Sequence, residues 1–387
     1  MDFNLVPIEN IVKMNALSSE TYVIVLAGGE GSRLRPLTKR IPKPLIEIDG
    51  VPIISRIINT YKELGIGNFL VVIGYKGNEL RALLSRDDSI SIEFVEQKRP
   101  LGMADALELS FKHIMNLKKN IKNFFVTAAD ILYSSQDIEQ MFRLYQNTQA
   151  DMILSLMEST DIEIAKGHGN VGLIKDYNPH DAEDVHQGLK IIDIIEKPSA
   201  DQILSNYYSL PFYLFNRKII KYLEDVPLSK RGEKELQDAI KMAIKSQETV
   251  KGFNIIKQKV DRESVGKYHL TYLEDILTMN FRFLEGTQID NYQGIDPVIR
   301  DPVKLREKIE FRGEVILGPN VIIQDNCTLG DSCELRNCIL YENVKLDKSC
   351  KLEWCLIDQN LKIPAGFSQN SCYIGRNEEG MLEIIPF

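Results

Sequence analysis

The sequence predicts an α/β sheet domain followed by a short parallel β-helix, and three observations carry that prediction. From Tyr22 onward, short apolar runs alternate with amphipathic stretches, as strands alternating with helices do. After about residue 310 the pattern changes to a six-residue beat. The length, 387 residues, exceeds what a single hydrophobic core usually serves, so two or three domains are expected.

Residues 1–20 lack strong periodicity and read as an N-terminal extension. YVIVLA (22–27) reads as the first strand. PIISRIINTYKELG (52–65) has apolar positions three and four apart and reads as a helix. NFLVVIG (68–74) is a strand, GNELRALLS (77–85) a helix and SIEFVEQ (91–97) a strand. ADALELSFKHIM (104–115) reads as a helix, and KNFFVTAAD (122–130) as a strand ending in a carboxylate. Three further strands are expected in ADMILSLMEST (150–160), GLKIIDIIEKP (188–198) and SLPFYLF (209–215). RGEKELQDAIKMAIKS (231–246) and YLEDILTMNFRFLEG (272–286) read as helices. This alternation implies a mostly parallel sheet covered on both faces, with ligands gathering at the carboxyl ends of its strands. The 27–43 loop and Asp130 would then lie at one edge.

Gly286 and the polar run NYQGIDP mark a boundary. The expected division is a sheet domain over 21–285, a linker over 286–310 and a coil domain over 311–387. In the coil domain Leu317, Ile323, Leu329 and Leu335 share one phase of the hexad, and Val321, Cys327 and Cys333 share another. That repeat is the signature of a parallel β-helix. All six cysteines (Cys327, Cys333, Cys338, Cys350, Cys355, Cys372) fall here, with no C-x-x-C pair and no nearby histidine. They read as small core residues rather than a metal or redox site.

The charge balance is 47 basic against 55 acidic residues, a net of −8. It argues against a nucleic-acid binder and against docking on anionic membrane. The start, MDFNLVPIEN, lacks a basic segment followed by a long apolar run, and the apolar runs fall short of the ~20 residues that span a bilayer. A cytoplasmic chain with reduced cysteines is expected.

Against that acidic background, the loop AGGEGSRLRPLTKRIPKPL (27–45) stands out. Ala27, Gly28, Gly29 and Gly31 let backbone N–H groups approach a polyphosphate closely. Arg33, Arg35, Lys39, Arg40 and Lys43 follow, with no acidic residue between Ser32 and Leu45. The loop reads as a local anion site, the plainer alternative being a solvated basic loop. It is neither the nucleoside-triphosphate phosphate loop nor the dinucleotide fingerprint.

GGEGSRLRPLT followed by PKPL resembles the signature of the sugar-1-phosphate nucleotidylyltransferases, and the resemblance extends over roughly residues 21–285. It implies a Rossmann-like mixed sheet in a nucleotidyltransferase domain, followed by the left-handed parallel β-helix that several members carry. It also implies transfer of a nucleotidyl group from a nucleoside triphosphate to a sugar 1-phosphate of the glucose or mannose class, with Mg2+ as cofactor. Arg33 matches the arginine that grips the nucleotide phosphates, and Lys43 the lysine at the pyrophosphate end. Gln97, five residues before Gly102, matches the residue that reads the base edge. Asp130 matches the magnesium carboxylate. In Glu196-Lys197-Pro198 the glutamate would read sugar hydroxyls and the lysine the sugar phosphate. RGEKELQDAI (231–240) is similar to a stretch whose role is mostly helical. PKPLIEIDGVPI looks more like the mannose-guanylyl and glucose-thymidylyl branches than the adenylyl branch.

Taken singly, Asp130 reads equally well as a helix cap, and Glu196-Lys197 as an exposed charged pair. The family's second metal aspartate has no carboxylate counterpart: His269, in Lys267-Tyr268-His269-Leu270-Thr271, stands where it is expected. His269 could ligate the metal with Asp130, sit as a polar residue at the rim, or mark lost catalysis. Met103, Ala129 and Pro211 also depart from the family's usual residues. The leading expectation is an enzyme, and the alternative is a non-catalytic regulatory subunit that keeps the nucleotide-sugar pocket. The five histidines all precede residue 270, so the coil carries no histidine base for acyl transfer. Packing or a homo-oligomer interface is its expected role.

Overall fold

The computed structural model describes residues 20–87, 89–116, 121–174, 187–284, 286–289 and 292–387. The N-terminal extension falls outside these residues apart from Glu20. Contacts divide the described chain into two compact units. One comprises 20–30, 42–46 and 52–265, and the other 31–41, 47–51 and 266–387.

The first unit is built on a nine-stranded sheet. Its strands are β1 (Thr21–Leu26), β2 (Asn68–Ile73), β3 (Ser91–Glu96), β4 (Asn123–Ala128), β5 (Met152–Glu158), β6 (Gly169–Leu173), β7 (Leu189–Glu196), β8 (Tyr207–Asn216) and β9 (Val250–Asn254). Their order is β3-β2-β1-β4-β8-β5-β9-β7-β6. Strands β3, β2, β1 and β4 are parallel neighbours, joined through α1 (Ile53–Lys62), α2 (Gly77–Leu84) and α3 (Met103–Asn116). These elements agree with the periodicity, because a strand buried on both faces is continuously apolar while its crossover helix shows one apolar face. Tyr22, Val23, Ile24 and Val25 are fully buried, as are Phe69, Leu70 and Val71.

The mostly parallel sheet holds for that half only. β8 runs antiparallel to β4, β5 and β6, and β7 runs antiparallel to β6 and β9. Parallel neighbours need a crossover of a dozen or more residues, and short returns force antiparallel pairing. The sheet is therefore mixed. Pro211 sits where the β8–β5 register shifts between Ser209 and Tyr213, a place where a missing N–H is tolerated. The unit also contains α4 (Ser135–Thr148), opened by a reciprocal cap between Ser134 and Asp137, and α5 (Leu236–Lys245).

The second unit contains α6 (Leu273–Phe281) and a coil of short parallel strands. Val303 pairs with Val321, and Val321 with Cys338; Cys355 pairs in turn with Cys372. Each side chain thus stacks on one three hexads away. The segment read as a linker, 286–310, takes part: Gln288–Ile289 pairs with Val303–Leu305, and Val298–Ile299 with Val315–Leu317. The coil begins there because Ile289 pairs in register with Leu305 and Ile299 with Leu317, extending the ladder ahead of the regular hexads.

Corner residues Asn320, Asn326, Ser332, Asn337, Asn343, Ser349 and Asn360 adopt positive φ, which short polar side chains tolerate best. Two corner pairs form ladders, with Asn320 Nδ2 donating to Asn337 Oδ1 at 2.8 Å and Asn343 to Asn360 at 2.9 Å. All six cysteines are buried and unbridged, in keeping with a structural role. Burial raises the Cys327 thiol to about 12, which keeps it protonated. Among the described residues no helix is long and apolar enough to cross a membrane.

Candidate active site

Within the first unit, several expected site residues gather at the carboxyl edge of the parallel strands. Ala27, just past β1, donates its N–H to Val72 O at 2.9 Å, and Tyr75 N–H reaches Gly28 O at 3.3 Å. The two backbones run so close that a Cβ on Gly74 would stand 2.6 Å from Gly28 O. Gly29 is exposed beyond this point. Ala129, past β4, donates to Leu26 O at 3.1 Å, which sets Asp130 beside the same loop. Gln97, past β3, donates its backbone N–H to Ile73 O at 2.8 Å.

Lys43 Nζ is ion-paired with Asp130 Oδ2, and both side chains are largely buried. Lys43 sits in the 3-10 turn Lys43–Leu45, which Pro42 and Pro44 hold rigid. The helix-cap alternative for Asp130 does not hold: Ser134 caps the helix that follows.

Gln97 Nε2 donates to Gly102 O at 3.1 Å and to Asp105 Oδ2 at 2.8 Å, which leaves Oε1 as its acceptor. Gly102 has φ +96, and a Cβ there would lie 2.5 Å from Lys234 O, so glycine is required. Gly102 also fixes the turn that α3 follows.

Glu196 ends β7, and Lys197 follows at φ 44. The pair is not simply exposed. The Glu196 side chain is 9% accessible, with Oε1 3.5 Å from Lys197 Nζ and 3.9 Å from Arg231. Burial is the largest influence on its carboxyl; Lys197 and Arg231 oppose it and the Glu235 charge reinforces it, and the net effect is a rise to about 7. Gly169 pairs with Glu196 on one side and with Ser209 on the other. Ser209 and Asp130 both lie past the Phe212–Thr127 pair, so the register brings the two groups of residues to one edge.

Sequence reasoning missed Gln237. It lies on α5 in the stretch read as structural, yet it is 2% exposed and its Oε1 has no hydrogen-bond partner. A Cβ built on Gly169 would lie 3.1 Å from Gln237 Cγ, 3.2 Å from Glu196 Oε2 and 2.8 Å from Ser209 Oγ. A polar residue on the buried stripe Leu236, Ala239, Ile240 and Ala243 was the available signal.

Gly31, Arg33 and His269 belong to the second unit. Gly31 takes φ 63 ahead of the turn Ser32–Leu34, and the exposed Arg33 guanidinium lies 5.6 Å from the Tyr272 ring centroid. Two of the five loop cations have acidic neighbours within the second unit. Lys39 pairs with Glu378 at 2.6 Å and Arg40 with Asp358 at 2.5 Å, acidic groups more than 300 residues distant in sequence. His269 is half-buried. The carboxylates flanking it in sequence have structural duties: Asp261 Oδ1 accepts from Ser264 N–H, and Asp275 Oδ2 accepts from Thr271 and Tyr272 N–H.

Among the described residues no three His, Cys, Asp or Glu side chains gather into a metal cage. That donor set does fit a hard cation carried by the substrate. Mg2+ takes one or two protein carboxylates and fills its octahedron with phosphate oxygens and water, and Asp130 is such a carboxylate.

The sequence pattern of the family described as nucleotidyl transferase matches residues 22–260, and that of the GlmU-like C-terminal hexapeptide matches 310–379. The UTP–glucose-1-phosphate uridylyltransferase AglF of Haloferax volcanii is 30% identical over 241 residues, covering 62% of this chain and 89% of that protein. The bifunctional protein GlmU of Methanococcus aeolicus is 29% identical over 291 residues, and the match covers 75% of this chain but 61% of that protein. Two crystal structures share the fold. UDP-glucose pyrophosphorylase complexed with UDP-glucose gives a TM-score of 0.50 at 22% identity over 60% of this chain and 90% of that one. Apo UDP-glucose pyrophosphorylase gives 0.53 at 21% identity over 68% and 97%.

Proposed function

The chain belongs to the nucleotidyl transferase family, and from that membership and its site residues we infer that it joins a nucleoside triphosphate to a sugar 1-phosphate, giving a nucleoside-diphosphate sugar and pyrophosphate. The observation that carries this reading is the Lys43–Asp130 pair at the carboxyl edge of the sheet, beside the Ala27–Gly29 loop. Nucleotidyl transfer asks little covalent chemistry of a protein; it asks that two anions be held in line while charge is neutralised.

In this reading the sugar phosphate oxygen attacks the α-phosphorus, the bond to the β-phosphate oxygen breaks, and pyrophosphate leaves with no covalent enzyme intermediate. The Ala27 N–H is taken by Val72 O, so the backbone N–H groups just past it, at Gly28 and Gly29, cradle the triphosphate. Lys43 binds the departing pyrophosphate and Lys197 holds the attacking phosphate; the family resemblance gives Arg33 a role on the nucleotide phosphates. Glu196 accepts hydrogen bonds from sugar hydroxyls. Gln97 Oε1, its amide donors engaged by Gly102 and Asp105, accepts an N–H from the base edge. Asp130 would hold Mg2+, which supplies neutralisation of the phosphate charge.

AglF is named for UTP and glucose 1-phosphate, which makes that pair the first to try. A cytoplasmic location, where nucleoside triphosphates are abundant, suits the reaction. The hexapeptide coil supports association of copies of this chain, testable by light scattering. A pyrophosphate-release assay across a panel of nucleoside triphosphates with glucose and mannose 1-phosphate tests the reaction. Binding without turnover across the panel would replace it with the regulatory-subunit reading. Arg33→Ala should lower turnover by about 100-fold or more with folding intact.

A further inference from the structure

Two residues that adjoin Gly169, Glu196 and Gln237, each carry an unpartnered buried oxygen, and the reaction above uses only Glu196. Glu196 presents Oε1 to Lys197 and Arg231, while Oε2 is buried with no hydrogen-bond partner. Gln237 Oε1 is likewise buried and unpartnered. Two orphaned acceptors this deep are costly unless a ligand supplies the missing donors. The two side chains converge on residue 169, which has none of its own: a Cβ there would come within 3.2 Å of Glu196 Oε2, 3.1 Å of Gln237 Cγ and 2.8 Å of Ser209 Oγ.

We propose that Gln237 is a specificity-determining residue of the sugar subsite, its Oε1 forming with Glu196 Oε2 a two-acceptor fork that takes hydrogens from hydroxyls on adjacent ring carbons. This rests on the sugar 1-phosphate reading and deepens it. The fork requires donors, so it selects ring diols and rejects sugars that are deoxygenated, or that carry a second acceptor such as a carboxylate, at that place. The two partners are not interchangeable. Glu196 is oriented from outside by two cations, whereas Gln237 is neutral and held by the buried face of α5, so its amide adds selectivity without adding charge to a site that must also accept a phosphate.

Steady-state kinetics of the full chain with UTP and glucose 1-phosphate, or its 2-, 3-, 4- and 6-deoxy analogues, test this. Wild type should lose about 100-fold in kcat/KM at one position or two adjacent ones, because a buried acceptor is then left unpaired. Gln237→Met, close in volume, should lose most of its kcat/KM for glucose 1-phosphate while leaving that of the affected analogue within threefold, collapsing the discrimination. Gln237→Ala should behave alike if packing is not the cause. Discrimination unchanged in both variants, or an equal loss with every analogue, would overturn the assignment. A wild type that releases no pyrophosphate defeats the underlying reaction instead. Binding of UDP-glucose and UTP by calorimetry then decides Gln237 by itself: Gln237→Met should weaken UDP-glucose alone, and equal effects on both would refute the fork.

Discussion

Lys43 Nζ and Asp130 Oδ2 are joined in an ion pair although 87 positions separate them in sequence. With side chains 17% and 19% exposed, the pair is partly shielded, and removing either partner takes away a charge that the other faces. Lys43→Ala and Asp130→Asn should each reduce pyrophosphate release by about 100-fold or more. Circular dichroism should show the fold retained. Activity within threefold of wild type would take the pair out of the mechanism.

Removal of divalent metal follows from the same carboxylate. Chelation should abolish turnover and added Mg2+ should restore it. In Asp130→Asn the Mg2+ concentration for half-maximal rate should move upward. Full activity in excess chelator would rule out the metal reading.

Glu196 makes a pH prediction with a defined sign. Burial raises its carboxyl from 4.5 to about 7, so between those values the folded chain keeps a proton that the unfolded chain has released. Stability therefore falls as pH rises through that window, by up to about 3 kcal/mol. The ionised form is the one that accepts two hydroxyl donors, so kcat/KM for the sugar phosphate should rise through the same window. Glu196→Gln should flatten both profiles, as read by denaturant titration and by kinetics at each pH.

Gly102→Ala tests the turn that carries Gln97. At φ +96, with a Cβ 2.5 Å from Lys234 O, the added methyl meets backbone on a strained residue. A loss of at least about 2 kcal/mol is expected, roughly 4–8 °C in melting temperature. A melting point unchanged within 1 °C would contradict the close approach.

Trp354, the sole tryptophan, occupies the rung that follows Asn320 and Asn337, at φ 51, and its ring lies 6.1 Å from that of Phe281 on α6. It forgoes the asparagine ladder and holds the helix instead. Phe281→Ala should redden tryptophan emission and cost about 1 kcal/mol. An unshifted spectrum would show that the contact is not made.

The parts of the fold legible in advance were those written as local periodicity. The buried runs at 22–27 and 68–74 and the amphipathic stretches at 52–65 and 231–246 became strands and helices, with ends moved by a few residues. Helix α4 was equally legible through Ser134 and Asp137, whose spacing of three is that of an N-cap pair. β6 and β9 carry five residues each, too few for alternation to declare itself.

Hexad phase, buried cysteines and the roster of phosphate-binding residue types follow from the sequence alone, because each is a property of near neighbours or of residue chemistry. What only the tertiary structure decided is pairing at long range. It assigned Lys43 to Asp130, set Lys39 against Glu378 and Arg40 against Asp358, and buried Gln237 beside Gly169, which Glu196 also adjoins. Burial and counterions set the charge state and the free valences of these groups, and neither is encoded by any single stretch of chain.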